Sequence, residues 1–319
     1  MRTEIRLALV LNGGVSLAVW MGGVVHELDL ARRASLGLDP PDDPEDAAVY
    51  EHWKQVCDQA GVTLRVDVIA GTSAGGLNGA FLAEAIANGH PLPDLRSVWL
   101  TAGSLSPETL LRVEDRASVL SGSFFEEQID AQLGGMPAAV PDPAVGEPVT
   151  LFVTATGLSG GTHELRDAFG SRFSSQDHRR LFRFARQDGG LLFDDGAVLP
   201  RPPEHHFTSA ARPALARAAR ASASFPVAFA PVDEAPLLGY RTAGTPVDVG
   251  TSALMDGGVL DNAPFGPVLA EVGRLPVDGP YRRVVSYIVP SSGPLQEAAA
   301  TLPYSETKLT RIVGATVQM

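Results

Sequence analysis

Cysteine occurs once, as Cys57, and lysine twice, as Lys54 and Lys308. A lone cysteine forms no internal disulfide, so the thiol content gives no reason to expect an oxidising compartment. Cys57 falls in a helix-like stretch, Tyr50 to Ala60, and reads as structural. Basic residues number 25 against 37 acidic ones, for a net charge of −12. That balance argues against nucleic acid as a partner and against simple electrostatic adsorption to anionic lipid. Glycine-rich loops are present, but Gly-x-Gly-x-x-Gly and a Walker lysine are not, which disfavours a nucleotide-phosphate cradle. Histidine also runs out: His206 is the last of seven. A serine–acid–histidine triad would therefore need its acid upstream of His205 or His206, at Asp167 or Asp195 for example. Both histidines lie in a proline- and arginine-flanked stretch that reads as a surface loop.

What the chain does have is a globular composition, 45% apolar and 19% charged, with length enough for a full core. Its one long uncharged run is Leu7 to Val25, preceded by Arg2 and Arg6. Length and flanks suit a membrane span or an export segment. Asn12-Gly13-Gly14 and Gly22-Gly23 interrupt it, however, so the favoured reading is a strand over Ile5–Leu11, a loop, and a helix over Ser16–Leu30.

The most informative motif follows the strand-like run Arg65–Ala70. It is Gly71-Thr72-Ser73-Ala74-Gly75, and a small-residue helix follows it. A sharp strand-to-helix turn of this kind lifts a serine hydroxyl toward a substrate, and the flanking glycines admit the crowding of the turn. Because glycine makes up 33 of 319 residues, the bare pattern also arises by accident, and Gly157-Leu158-Ser159-Gly160-Gly161 is a second match. That one follows the strand Val149–Thr156 and reads as a turn, which leaves Ser73 as the candidate nucleophile. Two elements fit beside it. Asn12-Gly13-Gly14-Val15 lies between a strand and a helix, where successive N–H groups can face an anion. Asp256 is delivered by a strand to the turn Gly257-Gly258, where it suits a general base and, on the residues alone, suits an ordinary Asp-Gly turn equally well.

Strands followed by glycine turns and helices predict an α/β fold, with a mainly parallel sheet and helices on both faces. One domain over 1–292, with 293–319 as a tail opening a further helical region, is the simplest division. Leu181–Arg186 and Leu191–Phe193 around Asp188-Gly189-Gly190 suggest a β-hairpin. The segments Met136–Pro148 and Arg172–His206 look irregular and are read as a lid or a lipid-facing rim.

In order, the glycine loop, Gly71–Gly75 and Asp256-Gly257-Gly258 resemble the patatin-like lipid acyl hydrolases. Leu120–Phe125, Thr154–Thr156, Ala221–Pro231 and Asp261–Pro264 extend the likeness over about residues 5–292. The resemblance implies a patatin-like strand order distinct from the standard α/β-hydrolase. It also implies a Ser73–Asp256 dyad with no catalytic histidine, and an oxyanion hole from the N–H groups of Gly13, Gly14 and Val15. The turn glycines would be Gly71, Gly75, Gly257 and Gly258. It implies no metal or organic cofactor. The substrate would be a lipid or other acyl ester, and the protein would be cytoplasmic or peripheral to a membrane. Where that family has Asp-Gly-Gly-Gly-x-Arg-Gly, this chain has Asn12, Val15, Leu17 and Ala18 at the first, fourth, sixth and seventh positions. Two other classes fit the sequence: a catalytically silent lipid-binding module, and a membrane-anchored or exported protein led by residues 7–25.

Overall fold

The computed structural model describes residues 2–14, 18–112, 118–136, 146–194, 196–242, 251–277 and 279–290. In chain order they form β1 (Thr3–Leu11), α1 (Ala18–Leu36), α2 (Pro44–Ala60), β2 (Val62–Gly71), α3 (Ala74–Asn88), α4 (Leu95–Ala102) and α5 (Gly122–Gly135). Then come β3 (Val149–Arg166), β4 (Arg172–Gln187), β5 (Gly190–Asp194), β6 (Ala197–Arg201), β7 (Glu204–His205) and α6 (Arg212–Ser222). The order closes with β8 (Val232–Asp233), β9 (Ala253–Asp256), α7 (Phe265–Arg274) and β10 (Tyr281–Ile288), with single 3-10 turns at Ala235–Tyr240 and Gly257–Val259.

The main sheet runs β10-β1-β2-β3-β4-β7, and β9 pairs with β3 and β8 off this path. β10, β1, β2 and β3 are mutually parallel, whereas β4, β7, β8 and β9 join antiparallel. This is the expected α/β fold with a largely parallel mixed sheet. The strand period of two explains the uncharged run at the N-terminus. Leu9 and Leu11 point into the larger core with Met21, Val25, Leu77 and Phe81. Ala8 and Val10 point the other way, with Val68, Ala70 and Phe152, against Val268 of α7. Both faces of β1 and β2 are therefore covered at these positions, while β10 at the edge is largely exposed. All of α3 is buried, as its apolar, small-residue sequence requires. Among the described residues no helix is long and apolar enough to cross a membrane. Residues 7–11 belong to β1 and residues 18–25 to α1.

Three local expectations need correction. The stretch around Ser159 is not a turn: β3 continues through it to Arg166, with a register shift against β4 between Thr156 and Gly161. The paired glycines are accommodated in a bulge. Asp188-Gly189-Gly190 does not close a hairpin, because β4 pairs with β3 and β7 while β5 pairs with β6. Finally, Arg172–His206 is not irregular. Much of it is the sheet strand β4, which buries Phe182 and Phe184. Its arginines gave the stretch an irregular look, but they are paired: Arg180 Nε with Glu234 at 2.9 Å and Arg183 with Glu204 at 2.8 Å. Residues 137–145 of the other lid segment, and the tail 293–319, lie outside the described residues.

Candidate active site

β2 ends at Gly71, level with Val153 of β3, and the chain turns within two residues into α3. Ser73 sits in that turn at φ 53°, ψ −122°, one of two non-glycine residues with positive φ among the described residues. Such a backbone costs about 1–3 kcal/mol and persists only where its surroundings impose it. They do so here. Ser73 N–H donates to Ser222 Oγ at 2.9 Å, Thr72 N–H to Leu11 O at 3.1 Å, and Thr72 Oγ1 bonds to Thr154 Oγ1 at 2.7 Å and to Asp261 O at 2.9 Å. Although Ser73 occupies the N-cap position of α3, its hydroxyl makes no capping bond and is left for other chemistry. Gly75 is required by close approach: a Cβ there would strike Leu11 O and lie 2.7 Å from Asn12 O. A Cβ at Gly71 would strike Gly75 O.

Asp256 arrives from β9, a strand of the same sheet. β9 pairs it with Ala155 of β3, two residues beyond the level of Gly71, and its N–H donates to Ser224 O at 3.0 Å. Its Oδ1 accepts from Gly258 N–H at 2.7 Å, while Oδ2 is buried with no hydrogen-bond partner. Burial raises the carboxyl to about 6, against the smaller opposing effects of the Gly258 N–H and the Ser73 hydroxyl. The hydroxyl thus lies near enough to favour the carboxylate without closing a hydrogen bond of ordinary length, as is common before substrate binds. Gly257 lets this turn pass over β3, since a Cβ would collide with Thr154.

The glycine loop lies against the elbow. A Cβ on Gly13 would come within 3.0 Å of Ser73 Cβ and 3.2 Å of Thr72 O. Gly13 N–H, expected to face an anion, already donates to Asn262 Oδ1 at 2.9 Å. That expectation is therefore corrected: Asn262 fixes the loop through Gly13. Gly14 packs against the Pro290 ring, and Val15 and Leu17 lie outside the described residues.

His206 stands away from Ser73. His206 Nδ1 accepts from Ala185 N–H at 3.1 Å, and Ala185 is level with Thr150, at the end of the sheet opposite to Ser73. Asp167 is at a remote turn between β3 and β4, and Asp195 lies outside the described residues. Ser159 is in β3, its N–H bound to Ser252 Oγ at 2.8 Å. Cys57 is buried, and that burial pushes its thiol up. Among the described residues no group of three or more His, Cys, Asp or Glu side chains could hold a metal ion.

A family model of the patatin-like phospholipases matches residues 9–269. The chain belongs to the patatin-like phospholipase family. That match runs from the end of β1 to the middle of α7 and takes in Ser73, Asp256 and the glycine loop. A relative from Mycobacterium tuberculosis, described as an uncharacterized membrane protein, is 35% identical over 322 residues. The alignment covers 91% of this chain but only 28% of the relative, so the chain spans little more than a quarter of that protein's length.

Sequence reasoning missed two positioning residues of this patatin-like site, Ser222 and Asn262. Both sit in stretches noted only for family likeness, and neither contact is local in sequence. Ser222 and Ser224, at the C-terminal end of α6, hold the backbones of Ser73 and Asp256 respectively, so one short segment sets the relative position of both. Substituting Ser222→Ala would leave the Ser73 N–H buried without an acceptor, at a cost of about 1–3 kcal/mol. A lower melting temperature and a roughly tenfold lower kcat, with KM little changed, are expected from thermal unfolding and steady-state kinetics.

Proposed function

We propose that this chain is a serine lipid acyl hydrolase of the phospholipase A or lysophospholipase type, acting through Ser73 and Asp256. The observation that carries the reading is the uncapped Ser73 hydroxyl, held in a strained turn beside a buried carboxyl with an open oxygen. In the ionised form Asp256 Oδ2 takes the Ser73 proton, and Ser73 Oγ attacks the ester carbonyl. The tetrahedral oxyanion is met by the N–H groups of Gly14 and Val15, with Gly13 serving to anchor the loop through Asn262. Asp256 returns the proton to the departing alcohol, which leaves an acyl-enzyme. Water, deprotonated by the same carboxylate, releases the fatty acid. Each oxyanion donor is worth about 3–4 kcal/mol in such chemistry. The catalytic unit would be residues 1–292.

Support for a lipid substrate comes from exposed apolar side chains close in sequence to the site residues. Trp20, Val227 and Leu260 are exposed, and each lies within a few residues of a group used above. Val227 is the second non-glycine residue with positive φ, at 72°, an unusual conformation for a β-branched residue. Exposed apolar side chains of this kind suit an acyl chain. Fatty-acid release from phospholipid, lysophospholipid and neutral-lipid substrates tests the reading. Release from at least one by wild type, and from none by Ser73→Ala, is the expected pattern; equal release by both proteins would refute it.

A further inference from the structure

Beyond the active site, the most exposed feature of the described chain is the outer half of β3 and β4. Val153 of β3 is level with Gly71 at the end of β2, yet β3 continues to Arg166. Those thirteen further residues extend on the order of 40 Å at a strand's rise per residue. β2 and β3 are parallel, so the extension leaves the sheet on the side where Ser73 and Asp256 stand. Its outer part, residues 161–166, pairs only with residues 172–177 of β4, as a two-stranded ribbon that nothing else in the described chain covers.

The ribbon ends in an ordered turn. Asp167 Oδ1 accepts from Phe169 N–H at 2.9 Å and from Ser171 N–H at 2.8 Å, and Asp167 N–H donates to Ser171 O at 3.0 Å. Gly170 supplies the positive φ of 86°. Three hydrogen bonds thus hold the turn that carries Phe169 outward, and its side chain is 94% exposed. Behind it the directly opposed pair Leu165–Phe173 puts two more exposed apolar side chains on one face of the ribbon. The next pair toward the tip is Arg166–Arg172, also directly opposed. Like charges in that relation repel; Arg172 also has Glu164 at 3.9 Å in an exposed ion pair, and the remaining guanidinium donors of the two arginines are open to an anion beside them. Behind the phenylalanine at the point stand the two guanidinium groups, and the Leu165–Phe173 pair lies one step further from the tip on the other face of the ribbon. A ring at the tip with guanidiniums next to it matches the layering of a phospholipid leaflet. The ring enters the acyl boundary and the guanidiniums bond phosphate.

We propose that the β3–β4 ribbon is a docking arm that engages the surface of a phospholipid bilayer and holds the Ser73 face toward it. The inference deepens the lipid-ester reading and rests on it. The occupant is the phosphate and upper acyl layer of the leaflet. Phosphate is present in zwitterionic lipid, so a chain of net charge −12 needs no anionic membrane.

The test is flotation of the full chain with phosphatidylcholine vesicles, run beside hydrolysis of a soluble short-chain p-nitrophenyl ester. Wild type is expected to float. Phe169→Asp is expected to lower the bound fraction about tenfold or more, and Arg166→Gln with Arg172→Gln to lower it severalfold, with soluble-ester turnover unchanged in both. Phe169→Ser, which retains the turn, is the second variant and decides the outcome if Phe169→Asp loses soluble turnover. The inference is overturned if wild type fails to float, or if Phe169→Ser floats as wild type does. It is equally overturned if the tip variants change only the oligomeric mass in light scattering, which would make the ribbon a contact between copies. Absence of soluble-ester turnover in wild type would count against the hydrolase reading, while flotation still decides the role of the ribbon.

Discussion

Asp256→Asn is expected to reduce kcat/KM about a thousandfold, the upper part of the range for loss of a general base, while making the folded protein more stable at neutral pH. The two effects share one cause. The carboxyl is buried and raised to about 6, so ionising it costs folding free energy. An amide keeps an Oδ1 that can accept the Gly258 N–H and carries no charge, but it cannot take a proton from Ser73. Thermal unfolding at pH 7 alongside the ester assay checks both at once. A residue that merely braced the turn would lose stability together with activity when altered.

The second expectation is an opposed pH dependence of rate and stability. Asp256 must be ionised to act as base, so kcat/KM of the wild type should rise about tenfold per pH unit below 6 and level off above it. Stability should run the other way. The folded state holds this proton more tightly than the unfolded state, whose value is near 3.8. Its contribution is therefore fully present below about pH 4 and is lost as pH rises through 6. A shift of that size corresponds to about 3 kcal/mol. The measurement is a comparison of wild type with Asp256→Asn. Their unfolding free energies should converge near pH 4, and the variant should gain by pH 7. A wild-type rate flat from pH 4 to 7 would mean that this carboxyl is not the base.

The sequence made the nucleophile turn legible because everything it needs is local. A strand, two glycines that permit close approach, and a helix of small residues lie within one continuous stretch, and the same holds for the strand that carries Asp256 to its Gly-Gly turn. The division of Leu7–Val25 was legible for the same reason, since Gly13 and Gly14 break the run at the strand's end. Contacts between distant segments were not legible. No local pattern announces that Ser222 accepts the Ser73 N–H, or that Asn262 occupies the Gly13 N–H. β3 was cut short at Thr156 because Gly157, Gly160 and Gly161 carry turn chemistry, and only the pairing with β4 shows that they form a bulge within a longer strand. The charge of β4 misled likewise, because its arginines find acidic partners far along the chain, such as Glu234 and Glu204.

The central claim is that Ser73 is an activated nucleophile. Peptide mass analysis after treatment with a fluorophosphonate measures that directly. A single covalent phosphonyl adduct on Ser73 is predicted for wild type, with none on Ser73→Ala and much slower formation on Asp256→Asn. Folded wild-type protein that acquires no adduct at Ser73, or a Ser73→Ala protein that is labelled as fast as wild type, would contradict it.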